Sequence, residues 1–349
     1  MSDVEVEGLG PWAERAFLDG TLGDAVSAAS GVVLDSFVIC SPKAAAAAVA
    51  AAKAGGHDVV ATPDGSVSTA GATVFAAHGG GVVTPERIAA AERASFNAQE
   101  REFAWPGGPF RVADAWVFRV EHWSDLLWAN LKALGPWLWA ELATPGRLTW
   151  AALRVGSFRP ELLAAPLARV HSSAFVHPRA TVEFSVLGPG ARVGAGAVVR
   201  GCVLGEGAVV EELALVEGCV LGPGARVQRQ AMAKYSVIER GAAHAGVVQL
   251  GVIGAEAEVR QGAVLFDQSL GDPVRVRRRG VLEPAPRGMI GVCVGPRTLL
   301  GQGVRVAAGR CLPPDLTILP DSGGIVANVD VPAGASVVRV AGGHLEPLS

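Results

Sequence analysis

Apolar residues in the second half of the chain recur with a fixed spacing. The octet VLGPGARV occurs at Val186–Val193 and again at Val220–Val227, and the related octet VLGEGAVV lies between them at Val203–Val210. The step is therefore 17 residues, and a weaker copy at Val237 continues it. Inside this step, a beat of five or six residues places aliphatic side chains at positions 170, 176, 182, 187, 193, 199, 204, 210, 215, 221 and 227. Such self-similarity predicts a stack of repeated coils.

Three steps of the beat complete one turn of a triangular prism. Each aliphatic residue points into the prism, and the glycine that follows several of them allows a sharp corner or a close approach of the backbone. One coil cannot bury its own apolar face, so the coils must stack. The beat resumes at Val294 and continues through Ile318. The alternative is a β-sandwich of short strands, which would show two packed antiparallel sheets in residues 170–230.

The first half of the chain has a different pattern. Phe37–Cys40 is a short apolar run typical of a buried strand, and Ser41 with Pro42 can start the helix that follows. Alanines at 44–52 continue this helix to Gly55, and residues 58–62 form a second apolar run. Strand, helix and strand in succession predict an α/β domain. A second helix should begin near Thr84 and run towards Glu102, and the glycine-rich AAHGGGVV at 76–83 is predicted to be a turn rather than a phosphate loop.

Composition and charge narrow the classes of function. Half of the 349 residues are apolar, 18% are charged and the net charge is −3, so no basic excess indicates nucleic acid or a membrane surface. The five cysteines include no CxxC pair, which argues against a zinc site or a disulfide framework. The N-terminus lacks the apolar core of a signal peptide. The apolar stretch at 125–142 is too interrupted to span a membrane. We expect a cytoplasmic protein without nucleic-acid or membrane partners.

The glycine-punctuated beat resembles that of the hexapeptide-repeat acyltransferases, whose repeats form a left-handed parallel β-helix. The resemblance covers about residues 170–335. It implies acetyl-CoA or another acyl-CoA as the donor, and a homotrimer in which a histidine in the groove between subunits acts as general base. The flat apolar sides of such a prism are also surfaces that a second copy would cover.

An α/β domain ahead of such a β-helix resembles the sugar-1-phosphate nucleotidyltransferases, whose bifunctional members add an acetyltransferase β-helix. The segment WSDLLWAN at Trp123–Asn130 is similar to the one that closes the nucleotidyltransferase domain in that group, although a plain packing helix would show the same pattern. The glycine-rich loop of those enzymes is missing, because the first strand–helix turn is CSPK, at residues 40–43. We therefore expect no nucleotidyl transfer.

The resulting domain prediction has four parts. A reduced α/β nucleotidyltransferase-like domain occupies residues 1–120, and a tryptophan-rich helical linker follows at 121–169. The left-handed parallel β-helix occupies 170–335, and a C-terminal tail occupies 336–349.

The segment from His244 to Asp267 resembles a run of polar residues in the archaeal-type bifunctional enzymes. His244 and Gly254 match that run, whereas Val247 stands at the position of a tyrosine and Asp267 at the position of an asparagine. The resemblance implies that His244 is the catalytic base and that Asp267 orients the acceptor. His171 and His177 are the other histidines at comparable positions, and a structural role is expected for both.

A basic stretch follows, where the family leaves the prism and returns to it. The arginines are Arg275, Arg277, Arg278 and Arg279. Near the return, Arg287 lies close to Met289, which replaces a lysine of the family. We expect Arg277 and Arg287 to contact an acidic substrate such as a sugar phosphate, because a guanidinium can hold two phosphate oxygens at once. A run of arginines can equally be a solvated face.

Two interpretations of the whole chain remain open. In the first, the protein is an acyl- or acetyltransferase that acts on a sugar phosphate or nucleotide sugar. In the second, the site is inactive and the protein is a trimeric scaffold or regulatory relative. A γ-type carbonic anhydrase would need three converging zinc-binding histidines, a spacing that His171, His177 and His244 do not have, so no metal site is expected.

Overall fold

A computed structural model describes residues 5–11, 14–18, 20–21, 31–34, 37–64, 71–103, 110–269, 271–320 and 324–348. Contacts between residues divide the chain into two compact units. The first unit comprises Met1–Val6 with Pro11–Glu121, and the second comprises Glu7–Gly10 with His122–Ser349.

The first unit is a small α/β structure built around a capped helix. The helix Pro42–Gly55 begins where Ser41 Oγ accepts a hydrogen bond from the amide of Ala44 at 3.1 Å, and it ends at Gly56, whose φ is 71°. Short polar caps and a left-handed glycine are ordinary start and stop signals of helices. The α/β prediction is therefore confirmed. The strands of this unit include Glu5–Val6, Ala16–Phe17, Gly20–Thr21, Val38–Cys40, Val59–Asp64, Val74–Ala76, Glu92–Asn97, Glu100–Phe103, Phe110–Ala113 and Val117–Arg119.

The second helix of this unit is shorter than the sequence pattern predicts. It covers only Pro85–Ala90, and a strand, Glu92–Asn97, follows directly. That strand pairs in parallel with Val59–Asp64, which also pairs in antiparallel fashion with Val74–Ala76. The expected continuation of the helix towards Glu102 is therefore wrong, because these residues complete a sheet whose free edge a helix would have left unpaired.

Three helices open the main part of the second unit. They are Trp123–Leu142, Pro145–Val155 and Pro160–Leu167. The first has a capping box, in which His122 Nδ1 accepts from the amide of Ser124 at 3.2 Å and Asp125 accepts from the amide of His122 at 3.1 Å. Within the described residues, no helix combines the length and the apolar character that crossing a bilayer requires.

The rest of this unit is a left-handed parallel β-helix with three sheets, one for each side of the prism. The first face contains Arg169–Val170, Val186–Leu187, Val203–Leu204, Val220–Leu221, Val237–Ile238, Val252–Ile253, Cys293–Val294 and Cys311–Leu312. The second face contains Phe175–Val176, Arg192–Val193, Val209–Val210, Arg226–Val227, Ala243–His244, Glu258–Val259, Leu299–Leu300, Thr317–Leu319, Val337–Ala341 and His344–Pro347. The third face contains Thr181–Glu183, Val198–Arg200, Leu215–Glu217, Met232–Lys234, Val247–Gln249, Val264–Leu265, Arg305–Val306 and Ile325–Val326.

The register of these sheets explains the 17-residue step. Val186 pairs with Val203, which in turn pairs with Val220, so equivalent residues stack one above the other. The parallel β-helix is confirmed, with one correction in the beat. On the third face Val216 is buried, whereas Leu215 is only partly buried. The inward residue is therefore Val216, which lies 17 positions after Val199.

The glycine that follows an inward residue permits close stacking. A Cβ on Gly205 would lie 2.8 Å from the amide nitrogen of Pro223 and 3.0 Å from the carbonyl oxygen of Leu221 in the next coil. Gly207, two residues later, has φ 64° and no atom within 4 Å of the Cβ position. The first glycine thus serves close approach and the second serves the turn.

Later coils depart from this regularity, because successive strands of the first face pair after 15, 41 and 18 positions. The coil that contains His244 is two residues shorter, because Val237 pairs with Val252 after 15 positions rather than 17. Its corner between His244 and Val247 contains Gly246, whose Cβ would meet the carbonyl oxygen of Ala263. At the C-terminus, Val337–Ala341 and His344–Pro347 form an antiparallel hairpin that extends the second face.

Candidate functional site

His244 lies inside the prism. It occupies the inward position of the second face, in register with Val227 before it and Val259 after it, and its side chain is 0% exposed. Its Nε2 lies 3.2 Å from the carbonyl oxygen of Met232, and its Nδ1 has no hydrogen-bond partner. A general base must come within hydrogen-bond reach of the proton that it removes. The imidazole does not reach the surface, where an acceptor would bind.

Burial also determines the charge of this imidazole. It lowers the pKa of His244 from 6.5 to about 4. A charged imidazole would have to leave water without a carboxylate to pair with it, which is unfavourable in an apolar interior. The neighbouring inward residues in this column are aliphatic. Burial therefore favours the neutral form of His244 among the core residues.

Asp267, which is expected to share a site with His244, has a different partner. Asp267 accepts a hydrogen bond from Gln249 Nε2 at 2.9 Å, and burial raises the pKa of its carboxyl group. Among the described residues, no hydrogen bond links Asp267 to His244. The side chain of Arg287 lies outside the described part of the structure. Arg277 lines a cavity, which is described below.

His171 and His177 lie at corners near the start of the β-helix. The Nδ1 of His171 lies 2.8 Å from Ser173 Oγ and accepts from the Ser173 amide at 3.2 Å. The Nδ1 of His177 accepts from the amide of Arg179 at 3.1 Å. Both rings therefore hold turns, in the way that polar side chains commonly cap local backbone amides.

The basic stretch forms a hairpin outside the prism. After Val264–Leu265 the chain leaves the third face, and strands Arg275–Arg278 and Val281–Pro284 pair in antiparallel fashion before the chain returns at Cys293–Val294. Val274 and Val276 are buried, whereas Arg277 is exposed. The sequence prediction of an excursion agrees with this hairpin.

Polar contacts anchor this hairpin to the start of the helix Trp123–Leu142. Arg278 Nη2 donates to Asp125 Oδ1 at 2.5 Å and to Ser124 Oγ at 3.3 Å. The amide of Arg279 donates to both carboxylate oxygens of Glu7, at 3.0 and 3.1 Å. Arg278 is only partly exposed, so these charge-assisted bonds are stronger than surface pairs. Arg278 and Arg279 thus have structural roles.

A cavity of about 920 Å³ lies between the hairpin and the later coils. Three arginines, Arg275, Arg277 and Arg310, line it together with Cys311. Its wall also includes three carboxylates, Glu7, Asp272 and Asp330, and further polar and apolar residues, among them Gln268, Ser269, Leu282, Ile325 and Asn328. A volume of this size is ordinary for a small-molecule site in proteins.

Backbone carbonyls fix the guanidinium of Arg310. Its Nε donates to the carbonyl oxygen of Ala327 at 2.5 Å, and its Nη1 donates to that of Ala308 at 3.1 Å. Burial lowers the pKa of Arg310, and the nearby positive charge of Arg277 lowers it further. Within the described part of the chain, neither Arg277 nor Arg310 forms an ion pair. Two cations therefore lie near each other on one wall of the cavity.

Sequence reasoning missed Arg310, although a signal for it exists. Arg310 precedes the first-face strand Cys311–Leu312, and the same position in earlier coils holds Ser185, Cys202, Cys219, Ser236, Gly251 and Val292. An arginine in a column of small residues breaks the repeat. Comparing the columns of the coils, rather than searching for known motifs, would have found it.

In the first unit, the glycine-rich segment surrounds an arginine. Arg87 donates to the carbonyl oxygens of His78, Gly80 and Val82 at 3.0 to 3.2 Å, and to both carboxylate oxygens of Asp58. Hydrogen bonding to Arg87 lowers the pKa of Asp58. The carbonyls of this segment thus face a cation, whereas a phosphate loop must direct amides at an anion. The expected turn agrees with this arrangement.

Lys43, in the first strand–helix turn, contacts a carboxylate. Its Nζ forms an ion pair with Asp114, whose other oxygen accepts from the amide of Gln99 at 3.0 Å. Among the described residues, no group of three or more histidine, cysteine, aspartate or glutamate side chains could hold a metal ion.

Comparisons with known proteins bear on the β-helix alone. Residues 170–264 match a family model described as GlmU-like, C-terminal hexapeptide. No curated protein matches the chain. Two similar solved structures are a variant of the GDP-perosamine N-acetyl transferase from Caulobacter crescentus, in complex with CoA and GDP-perosamine, and the acetyltransferase domain of PglB from Neisseria gonorrhoeae, in complex with acetyl coenzyme A.

These structural similarities are distant. The first has 17% identity and a TM-score of 0.24, and covers 39% of this chain and 51% of that chain. The second has 19% identity and a TM-score of 0.24, and covers 57% of this chain and 63% of that chain. The alignment thus spans about half the length of the first structure, and scores this low carry no argument about the site. The family match and the three stacked sheets together identify the β-helix as one of the hexapeptide-repeat type found in acyltransferases.

Proposed function

We propose that this protein is a catalytically inactive relative of the hexapeptide-repeat acyltransferases that binds a sugar phosphate or a nucleotide sugar. The observation that carries the proposal is the position of His244. The one base that the family resemblance supplies lies in the inward column between Val227 and Val259, with 0% of its side chain exposed. The arginines beside the hairpin support the binding of an acidic sugar.

The test is a search for acyl transfer. In that reaction, an amine or hydroxyl of the acceptor attacks the thioester carbonyl, the C–S bond breaks, and a base takes the proton of the acceptor. The purified protein is incubated with acetyl-CoA and a panel of sugar phosphates and nucleotide sugars, and the release of CoA thiol is measured. We expect no release above the rate without protein. Turnover that disappears in a folded His244→Gln variant would overturn the proposal.

Acyl transfer is the second candidate, and one observation favours it. The family model that matches residues 170–264 is that of a C-terminal hexapeptide domain similar to GlmU. Under this alternative, acetyl-CoA or another acyl-CoA is the donor, and calorimetry would show saturable binding of acetyl-CoA to the wild-type protein. Binding together with thiol release that does not depend on His244 would place the base elsewhere, with His171 and His177 as the first residues to substitute.

Two further properties belong to the same proposal. Large apolar side chains, including Phe175 and Leu213, are exposed on the second unit, which supports a homotrimer in which copies cover these surfaces. Light scattering should then give three times the chain mass of 35.7 kDa, and a mass of one chain at micromolar concentration would contradict it.

The absence of nucleotidyl transfer is the second property. It is supported by Lys43, which is paired with Asp114, and by the carbonyl-lined Arg87. Incubation with a nucleoside triphosphate and a sugar phosphate should release no pyrophosphate.

A further inference from the structure

We infer that the cavity between the hairpin Arg275–Pro284 and the coil around Arg310 binds a ligand that carries a diphosphate group. This inference rests on the proposed function in one respect, since it assigns the phosphorylated ligand to a site. The site differs from the one that the family resemblance implies around His244. It is built from residues of the second unit only.

The positive charges on the cavity wall favour an anionic ligand. Arg277 and Arg310 lie close enough for the charge of one to lower the pKa of the other, and neither forms an ion pair with a described residue. Two cations held together without an anion are unfavourable, and a bound anion would relieve their repulsion. Arg310 uses Nε and Nη1 for backbone carbonyls, so its Nη2 makes no bond to a described residue and is available to a ligand oxygen.

The attachment of the hairpin to the prism is rigid. The hairpin meets the prism at Gly309, which has φ 74° and whose Cβ would lie 2.2 Å from the carbonyl oxygen of Arg275. Only a glycine combines this backbone conformation with so close an approach. The carbonyls that hold Arg310 belong to the same coils. The guanidinium of Arg310 and the backbone of the hairpin are therefore positioned before any ligand arrives, which reduces the entropy cost of binding.

The acidic residues and the volume indicate the rest of the ligand. Glu7 accepts hydrogen bonds from the Arg279 amide, and neither Asp272 nor Asp330 pairs with an arginine of the cavity. Carboxylates repel phosphate but accept hydrogen bonds from hydroxyl groups, so they favour a ligand whose phosphates are at one end and whose hydroxyls are at the other. About 920 Å³ exceeds the need of pyrophosphate alone and suits a larger molecule.

Two ligands share this chemistry, a nucleoside diphosphate sugar and coenzyme A. The experiment therefore titrates the full-length protein by calorimetry with inorganic pyrophosphate, uridine diphosphate glucose and CoA in turn. The variants are Arg277→Ala, which removes one guanidinium from the exposed side of the hairpin, and Arg305→Ala as the control. Arg305 is an exposed arginine of the neighbouring coil that does not line the cavity. Melting temperatures verify that both variants are folded.

We expect pyrophosphate to bind the wild type and Arg305→Ala alike, and to bind Arg277→Ala about 10- to 100-fold more weakly, because one hydrogen bond between charged partners is lost. Tighter binding of uridine diphosphate glucose than of CoA would assign the diphosphate to a nucleotide sugar. Tighter binding of CoA would leave the cavity assignment intact and overturn the ligand class of the proposed function.

The reactivity of Cys311 tests whether the ligand binds in this cavity. It lines the cavity and is the only one of the five cysteines that is not buried. Saturating pyrophosphate should slow the reaction of Cys311 with iodoacetamide several-fold, as followed by mass spectrometry. An unchanged rate, or equal weakening of binding in both arginine variants, would overturn the cavity assignment and leave the proposed function standing. Absence of binding by all three ligands would overturn both the cavity assignment and the proposed function.

Discussion

The coils from Val186 to Val259 and the segment from Phe266 to Asp330 are built on the same prism, but they use charged residues differently. In the first region, Arg200 bonds Glu183 at 2.7 Å and Glu217 at 3.3 Å across neighbouring coils. In the second region, the arginines around the cavity form no ion pairs with described residues. The comparison teaches that stacked coils can pair opposite charges from one coil to the next, whereas the three arginines beside the hairpin have no described carboxylate partner.

The inward column of the second face contains one polar residue among the described coils. His244 stands in a column of aliphatic residues, in the coil that is two residues short. A histidine in that place looks functional in the sequence because it interrupts a pattern. The same interruption outside the prism, at Arg310, leads to a cavity. His244 thus interrupts the repeat inside the prism, and Arg310 interrupts it beside a cavity.

The largest effect should come from breaking the regular region at its closest contact. Gly205→Ala would place a methyl group 2.8 Å from the amide nitrogen of Pro223, and backbone cannot move away as a side chain can. We expect the free energy of unfolding to fall by about 3 kcal/mol or more. Urea unfolding followed by circular dichroism measures it.

Gly207→Ala is the matched control in the same turn. It meets no atom within 4 Å and only forces alanine into φ 64°, which should cost about 1–2 kcal/mol. The corresponding corners of later coils hold Glu256, Arg297 and Asp315 with φ of 55° to 60°, so this conformation is tolerated. Equal losses in the two variants would show that turn strain, and not close stacking, limits the prism.

The sequence alone predicts the regular coils well, because each coil is encoded by a short stretch of consecutive residues. The 17-residue step and the glycines of VLGPGARV follow directly from stacking, and only the single-residue shift from Leu215 to Val216 is misjudged. The second region could not be predicted in the same way. Arg277 and Arg310 are 33 positions apart, and their meeting depends on how the hairpin docks at Gly309. For His244, the 17-residue step from Val227 predicts the inward position, whereas the catalytic role is an expectation from the family resemblance alone.

The next effect depends on pH and tests whether His244 belongs to the core. Its pKa is about 4 in the folded chain against 6.5 ordinarily. Between these values the unfolded chain binds a proton that the folded chain does not, so the free energy of unfolding falls as the pH decreases. The loss due to this residue should approach about 3 kcal/mol at pH 4. His244→Val, which matches Val227 and Val259, should remove that part of the pH dependence.

Urea midpoints at pH 7, 5.5 and 4.5 measure this change. At pH 7 the free energy of unfolding of His244→Val should lie within about 1 kcal/mol of the wild-type value. Valine occupies the equivalent inward positions of the neighbouring coils, and the substitution removes an unpaired Nδ1. Burial also lowers the pKa of His122, to about 3, so some pH dependence must remain. Val227→Ala, which alters the same inward column without a titratable group, is the control and should lower stability without changing the slope. An unchanged slope in His244→Val would contradict a buried, neutral imidazole.

A smaller effect is expected where the hairpin meets the prism. Gly309→Ala would bring a methyl group against the carbonyl oxygen of Arg275 and should displace the hairpin rather than unfold the coils. We expect a local cost of about 2 kcal/mol. Hydrogen exchange of residues 275–284 should become faster, with little change in residues 186–259. Uniform acceleration over both regions would show that the two regions unfold together.

The smallest effect concerns the charge ladder of the regular coils. Glu183, Arg200, Glu217 and Lys234 alternate in sign up the third face, and Lys234 Nζ lies 2.9 Å from Glu217. These side chains are partly exposed, and pairs of that kind contribute little in water. Arg200→Gln should therefore lower the free energy of unfolding by less than about 1 kcal/mol, and 0.5 M salt should remove most of the difference by screening. Arg305→Gln, which breaks no ion pair with a described residue, should have no measurable effect. A loss of stability in Arg200→Gln that persists in salt would mean that packing of the arginine stem, and not its charge, stabilises the ladder. The difference between the paired arginines and those around the cavity would then lie in how their side chains pack, and not in their ion pairs.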